Sequence, residues 1–449
     1  MTDHQASPAH AGLPAPPAAA ARPHDPAGHP ATGRRPAALP LTVARKKTAL
    51  YAPVLVGAAA AAVLALAVPA MASPVTGQDA TGTVSISSIF GSGDIVTGVR
   101  GTTGGNVIVT GSHATADGAN TLPFLYQGPL TSPADDSGFH ALMPPFKNFE
   151  TGTFYGPDTS TYNPDTIPAG QVRAVGSYRT KPSLGVLNHG MIYLGPVSGG
   201  GTWTTIDVPA DGRNTVRGVR ACPSGQPGCR VMDTIAHSTM GNLVVGNYDL
   251  NLGHGVSGNA FIYNMTTRQW TLLQLGGSLA SGTTLYGIWQ NGGPGSPNYT
   301  LAGGSSAYSP GGAQRAFLMN YNERTGRFGL PRFYSYGNAP TPLTHFDGIT
   351  AVPGGFNLAT ISTAQASSMA FVPTTGRNWP LFGRATWYPI KVANNSLCTT
   401  LPTVKCTRVT ANTVYQNQVM GLYVQQQESD SGSDDVFVPG TYLATVSTP

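Results

Sequence analysis

Charged residues are scarce in this 449-residue chain, at 10% of the sequence. Coiled coils and helical bundles need many Lys, Glu and Arg residues, so this scarcity excludes them. The Gly-X-Y period of collagen is absent, although the chain has 57 glycines and 38 prolines. After residue 72, the longest stretch without Gly or Pro covers 18 residues, 403–420, and eight of these are Thr or Val. Such a composition favours strands over helices, and the sequence therefore predicts an all-β protein.

One long apolar run stands out, at residues 48–72, directly after a basic triplet. It ends in Ala70, Met71 and Ala72, and small residues at these places are typical of signal-peptide cleavage. We therefore expect a disordered basic n-region at 1–47, an apolar signal region at 48–72 and a single domain at 73–449. Because the n-region is unusually long, the start of translation is open to reassignment near Val43. A retained membrane anchor is the alternative, since the run is nearly long enough to cross a bilayer.

Removal of residues 1–72 also removes the basic excess of the chain. The remaining part keeps 19 basic and 18 acidic residues, which leaves no charge imbalance for a nucleic acid to recognise. We expect a secreted, extracellular monomer with no nucleic-acid partner and no membrane anchor after signal cleavage.

Four cysteines form two local pairs in segments rich in turn-forming residues, Cys222 with Cys229 and Cys398 with Cys406. In an exported chain an even number of cysteines indicates disulfide bonds, and we expect the two local pairings. Zinc binding is the alternative, but gaps of six and seven residues are longer than the usual spacing between zinc ligands.

A strand-like phrase recurs six times, centred on equivalent residues at spacings of 65, 71, 57, 57 and 62: Asn106, Gln171, Asn242, Tyr299, Phe356 and Gln418. Most copies are followed by a second phrase, as in Asn259-Ala-Phe-Ile-Tyr, and then by a strand that carries an aromatic residue. Each unit has room for four short strands. Sheets of this size bury their apolar faces by packing radially, so the repeats predict a single β-propeller of six four-stranded blades.

The count of six repeat units leaves two segments of the chain to be explained. The segment 83–90 has no partner phrase of its own, and we expect it to pair with the C-terminal strand 441–446 and so close the ring. The long segment 139–170 interrupts the second unit and leaves seven blades as an alternative. A pair of β-sandwiches or a β-helix is the alternative architecture.

The three phrases, Gly-Asn-x-Val-Val-Gly-x-Tyr, Ala-Phe-x-Tyr and Trp/Phe-Thr-x-Leu, resemble the HAF-type repeats of secreted bacterial β-propellers. The resemblance covers residues 83–446 through short motifs. It implies a non-enzymatic protein that binds an extracellular thermolysin-like metalloprotease and promotes the autolysis of that protease. It supplies no contact residues, so none are assigned from it.

No nucleophile elbow, His-Glu-x-x-His sequence or Walker loop is present in the sequence, so no catalytic residue is assigned. The first strands of two blades each carry a His and an Asp, namely His237 with Asp233 and His345 with Asp347. Inner strands line the channel of a propeller, where these side chains would bind a metal or serve acid–base chemistry. The alternative is that short polar side chains simply fill a wet channel.

A second candidate site lies in loops. Asp430, Asp434 and Asp435 form an acidic cluster suited to Ca²⁺, although its spacing differs from that of an EF-hand; no other cofactor is expected. Trp289 precedes a long loop and is a candidate for a binding face. A glycosidase or lyase, or a glycan-binding module, is the alternative to protein binding.

Overall fold

The computed structural model describes residues 75–76, 78–79 and 83–447, apart from gaps at 92, 117, 119, 132–133, 182–186, 225, 252–255, 277–281, 308–313, 337–342, 363–366, 391–403 and 428–435. The described residues form six antiparallel sheets arranged as the blades of a β-propeller, which confirms the predicted fold class. Helical structure in this part of the chain is confined to three one-turn 3-10 helices, Thr103–Gly105, Asp136–Gly138 and Val216–Gly218.

Strands are numbered in chain order, and three of them precede the first blade: β1 (Val75–Thr76), β2 (Gln78–Asp79) and β3 (Thr83–Ser88). Blade 1 contains β4 (Asp94–Gly101), β5 (Val107–Ala114), β6 (Thr121–Gly128) and β7 (Phe139–Ala141). Blade 2 contains β8 (Phe149–Thr159), β9 (Val172–Thr180), β10 (His189–Gly195) and β11 (Thr202–Ile206). Blade 3 contains β12 (Arg230–Met240), β13 (Leu243–Asn251), β14 (Val256–Asn264) and β15 (Gln269–Leu273).

Blade 4 contains β16 (Thr283–Asn291), β17 (Asn298–Ser305), β18 (Arg315–Asn322), β19 (Arg327–Phe328) and β20 (Arg332–Ser335). Blade 5 contains β21 (Thr344–Val352), β22 (Gly355–Ser362), β23 (Ser367–Thr375), β24 (Leu381–Phe382) and β25 (Thr386–Ile390). Blade 6 contains β26 (Val404–Val409), β27 (Thr413–Tyr415), β28 (Gln418–Gln427) and β29 (Val436–Ser447), and β3 is its outermost strand.

The first strand of every blade lies innermost, and these inner strands contact one another in sequence around the ring, from β4 through β8, β12, β16, β21 and β27 back to β4. The recurring phrase of the sequence corresponds to the second strand of each blade. No seventh blade is inserted at 139–170, because this segment supplies β7 and β8, the last strand of blade 1 and the first of blade 2.

The ring is closed as the sequence predicts. β3 pairs with β29 in antiparallel register, from Ser88 opposite Tyr442 to Thr83 opposite Ser447. The two ends of the domain thus share one sheet, and the N-terminal segment supplies the outermost strand of blade 6.

The hydrophobic core consists of six clusters, one at each contact between neighbouring blades. Trp270 and Trp387 are buried in two of these clusters, and Trp203 packs against a third. The apolar face of each sheet is therefore covered by the next sheet, the arrangement that stabilises propellers.

The cysteine and leader predictions have different outcomes. Cys222 and Cys229 form the predicted disulfide. The pair Cys398 and Cys406 lies outside the residues whose side chains are described, as do the predicted n-region, the signal region and the acidic cluster of Asp430, Asp434 and Asp435. Among the described residues, none belongs to a helix that could cross a membrane.

Candidate functional site in the axial channel

A β-bulge interrupts the inner strand of each blade at an equivalent place. In blades 1 to 5 the register shifts by one residue there, and in blade 6 the inner strand breaks at residues 410–412. A bulge leaves one residue unpaired and turns its side chain away from the regular alternation of the strand. The six residues at this position are all polar and form what we call the channel ring: Thr97, Tyr155, His237, Tyr286, Asp347 and Asn412.

Contacts link the members of the channel ring from blade to blade. Asn412 donates to the carbonyl oxygen of Val96 at 2.7 Å, and Thr97 donates to that of Phe154. The ring of His237 lies 4.8 Å from that of Tyr155 and 4.6 Å from that of Tyr286, measured between centroids. The channel is therefore lined at this level by aromatic faces and by hydrogen-bonding groups, with a carboxylate in blade 5.

His237 is a neutral imidazole in this setting. Burial, together with the nearby charge of His345, lowers the pKa of His237 from 6.5 to about 3. The Nε2 atom of His237 and the Oδ1 atom of Asn247 are both buried, and a side-chain hydrogen bond with Asn247 offsets part of the fall in the pKa of His237.

His345 and Asp347 form a hydrogen-bonded ion pair on β21, with only 15% and 11% of their side chains exposed. Burial alone would lower the pKa of His345, but the charge and hydrogen bond of Asp347 outweigh it and raise this pKa. Burial raises the pKa of Asp347, and His345 offsets part of the rise. The carboxylate is thus held in place and in part kept ionised by its histidine.

A second carboxyl group with a perturbed pKa belongs to Asp249 on β13. Burial and the neighbouring carboxylate of Asp233 raise the pKa of Asp249 to about 6. The two residues lie directly opposite each other on β13 and β12, and Asp233 accepts a hydrogen bond of 2.5 Å from Asn188. Asp249 therefore remains partly protonated near neutral pH, a property expected of a general acid.

The charges of both Asp347 and Asp249 act on the phenol of Tyr286. Burial raises the pKa of Tyr286 to about 12, and the charges of Asp347 and Asp249 both add to the rise. Both carboxyl groups therefore lie within electrostatic reach of one phenol in the channel ring, although they belong to blades 5 and 3.

The far end of the channel has a floor. Three residues along β4 from Thr97, the guanidinium of Arg100 lies over the ring of Trp289, 5.2 Å from its centroid. Trp289 is on β16, in the blade opposite blade 1, and its ring meets that of Tyr162 edge to face at 5.5 Å. Trp289 thus belongs to an inner strand and to the channel floor, not to the loop surface that its sequence position suggested.

Of the four predicted channel residues, the structure brings His237, His345 and Asp347 together in the channel, and it pairs Asp233 with Asp249. Tyr155, Tyr286 and Asp249 were missed. The two tyrosines carried a signal, since polar residues precede Gly in Thr97-Gly98, Tyr155-Gly156, Tyr286-Gly287 and Asp347-Gly348. Among the described residues no group of three His, Cys, Asp or Glu side chains could hold a metal ion.

No protein-family model and no curated protein sequence matches this chain. Several solved structures resemble it at low identity. A mutant α-L-arabinofuranosidase from Fusarium graminearum, in complex with an iminosugar inhibitor, is 11% identical with a TM-score of 0.45, and the match covers 80% of this chain and 97% of that one. An exo-β-1,3-galactanase from Clostridium thermocellum is 11% identical with a TM-score of 0.34, over 79% of this chain and 78% of that one.

The extracellular domains of semaphorin 1b from Drosophila, at 9% identity and a TM-score of 0.29, match over 83% of this chain and 87% of that one. These structural similarities do not indicate the function of this protein, because β-propellers host unrelated activities.

Proposed function

We propose that this protein binds a carbohydrate in its axial channel and cleaves a glycosidic bond there. The observation that carries the proposal is that two carboxyl groups from different blades, Asp249 and Asp347, both lie within electrostatic reach of Tyr286 in the channel ring. Glycosidic cleavage generally uses two carboxyl groups, of which one donates a proton to the leaving oxygen while the other acts as a base or nucleophile.

The environments assign the roles. Asp249, whose pKa is about 6, is the general acid, because a substantial fraction of it carries a proton at mildly acidic pH. Asp347 is the second carboxyl group, since His345 holds it by a hydrogen bond and offsets part of the rise that burial causes in its pKa. The faces of Tyr155 and Tyr286, on either side of the His237 ring, supply stacking surface for a sugar ring.

The proposal is tested by turnover on a panel of plant and microbial polysaccharides, with release of reducing ends as the signal. We expect Asp249→Asn and Asp347→Asn each to lower kcat/KM about 100-fold or more, the usual range for loss of an acid–base group. Asp207→Asn is the matched control, since that carboxylate pairs with His189 and is 42% exposed. Turnover that survives both channel variants would overturn the assigned roles. Saturable binding of a polysaccharide without turnover would indicate a glycan-binding module instead of an enzyme.

An extracellular setting is compatible with the Cys222–Cys229 disulfide, which forms in oxidising compartments. The protease partner implied by the repeat phrases, which are similar to those of dispase autolysis-inducing protein, stays a separate prediction. Incubation with a thermolysin-like metalloprotease tests it, and an unchanged rate of loss of intact protease on a gel would reject that partner.

A further inference from the structure

The channel floor holds two buried cations and one buried anion. Arg100 on β4, which is 4% exposed, and Arg173 on β9, which is 5% exposed, both lie within electrostatic reach of the fully buried Asp158. Buried charges in proteins are normally paired one to one, because transfer of an ion out of water is expensive. Within the described residues, this floor therefore has one positive charge in excess.

Asp158 and Arg173 have their partners in place. The carboxylate of Asp158 accepts hydrogen bonds from the backbone N–H groups of Thr159 and Gly241 at 2.9 Å and 3.1 Å, and from Asn163 Nδ2 at 2.7 Å. Arg173 donates to the carbonyl oxygens of Gly241 at 2.5 Å and of Thr166 at 3.1 Å. These two residues fix the loop after β8 that carries Tyr162.

Arg100 is the cation left over. Its Nε–H donates to the carbonyl oxygen of Pro157 at 3.3 Å, and neither terminal amino group has a hydrogen-bond acceptor among the described residues. The guanidinium lies over the rings of both Trp289 and Tyr162, at 5.2 Å and 5.9 Å from their centroids, and these two rings meet edge to face beside it. A planar guanidinium with two open amino groups matches a carboxylate, which accepts two parallel hydrogen bonds.

We propose that Arg100 recognises the carboxylate of an acidic sugar, so that the ligand of the channel is a uronic acid or an oligosaccharide that contains one. This inference rests on the proposed function of the channel and names its substrate class. The ring of Trp289 packs against the guanidinium, and the carboxylate supplies the negative charge that the floor lacks.

The test compares binding of matched acidic and neutral sugars by calorimetry: short oligomers of galacturonate and glucuronate against those of galactose and glucose. Wild type should bind at least one acidic oligomer 10-fold or more tightly than its neutral counterpart. Arg100→Met, which keeps the apolar length of the side chain, should reduce that preference to within 2-fold. Arg315→Met is the control, because that buried arginine begins β18, the third strand of blade 4, and stacks on Phe333 of β20, away from the inner strand.

The outcomes separate the two proposals. If wild type binds neutral oligomers as tightly as acidic ones, or if Arg100→Met keeps the preference, the role of Arg100 is wrong while carbohydrate binding stands. If wild type binds neither set, both proposals fall. If Arg100→Met fails to fold, the preference of wild type for acidic over neutral oligomers still tests the proposed substrate class, since this measurement needs no variant.

Discussion

His237 makes a sharp residue-scale prediction, because the proton affinity of its imidazole differs strongly between the folded and unfolded states within an accessible pH range. The folded pKa of about 3 lies below the value of 6.5 for an exposed imidazole, so the unfolded chain binds the extra proton. Stability from this residue is therefore fully present above pH 6.5 and is lost as the pH falls from 6.5 towards 3. Each pH unit below 6.5 should lower the free energy of unfolding by about 1.4 kcal/mol.

Urea unfolding of wild type and His237→Gln between pH 8 and pH 4 measures this loss. The wild-type midpoint should fall more steeply below pH 6.5 than the midpoint of the variant, which has no imidazole at this place. If the urea midpoints of wild type and His237→Gln instead change with pH to the same extent, His237 is solvated or charged in the folded protein.

The sequence identifies channel residues only in part, and the reason lies at the same scale. His237, His345 and Asp347 were found because the repeats place them on first strands. Asp249 escaped detection because it lies on a second strand, where a polar residue usually faces solvent, and only burial beside Asp233 perturbs its pKa. Arg100 looks like an ordinary surface charge until its strand is placed opposite Trp289.

At the scale of the element, four of the six inner strands have a glycine directly after the bulge, and this glycine allows the close approach of neighbouring blades. A Cβ atom on Gly98 would overlap the carbonyl oxygen of Tyr155 in the next blade, and one on Gly156 would lie 2.6 Å from that of His237. Neither glycine has a positive φ, so the requirement is close approach of backbones and not a left-handed conformation. The bulge brings the ring residue inward only because neighbouring strands can approach this closely.

We therefore expect Gly98→Ala to destabilise the fold by about 3 kcal/mol, the range of overpacked cores. Gly282→Ala is the control, since a Cβ there meets nothing nearer than 3.7 Å and should change stability by about 0.5 kcal/mol or less. Guanidinium chloride unfolding of both variants measures the difference. Equal midpoints would mean that the blades separate at no cost to accommodate the methyl group.

Strand content and blade count could be predicted from the sequence because the second strands repeat a strong apolar phrase every 62 residues or so. The bulges could not, since a bulge adds one residue to a strand without any fixed residue type. The bulges correspond in the sequence to a polar residue followed by Gly in most inner strands, as in Tyr286-Gly287 and Asp347-Gly348. This two-residue pattern is too short to recognise before the strands are aligned.

At the scale of the whole molecule, the N-terminal segment covers one blade edge after another. β1 pairs with β20 at the edge of blade 4, β2 pairs with β25 at the edge of blade 5, and β3 completes blade 6. Blade 3 is protected differently, since the N–H of Trp270 donates at 2.8 Å to the carbonyl oxygen of Asn214, in the loop that carries the disulfide. Exposed edges invite pairing with other chains, and these covers reduce the backbone edge that is open to such pairing.

Closure of the ring by β3 should contribute more to the stability of the molecule than the pairing of β1 and β2 with the edges of blades 4 and 5. Two truncated chains separate these two contributions. A chain that begins at Thr83 lacks β1 and β2 but keeps the closing strand, so it should lose only about 1 to 2 kcal/mol, a few backbone hydrogen bonds. A chain that begins at Gly91 also lacks Ile89, which is 1% exposed, and Phe90, whose ring packs on Phe124. It should lose on the order of 5 kcal/mol from burial of apolar side chains and unfold less cooperatively.

A synthetic peptide of residues 83–90 should restore the midpoint of the shorter chain as its concentration rises, because a strand that binds only the folded ring stabilises it by mass action. A peptide of the same composition in scrambled order is the control, since it cannot keep Val84 and Ile86 in register against β29. If the chain from Gly91 unfolds at the same denaturant concentration as the chain from Thr83, the ring holds through its blade contacts alone, and pairing of the termini has no part in its stability.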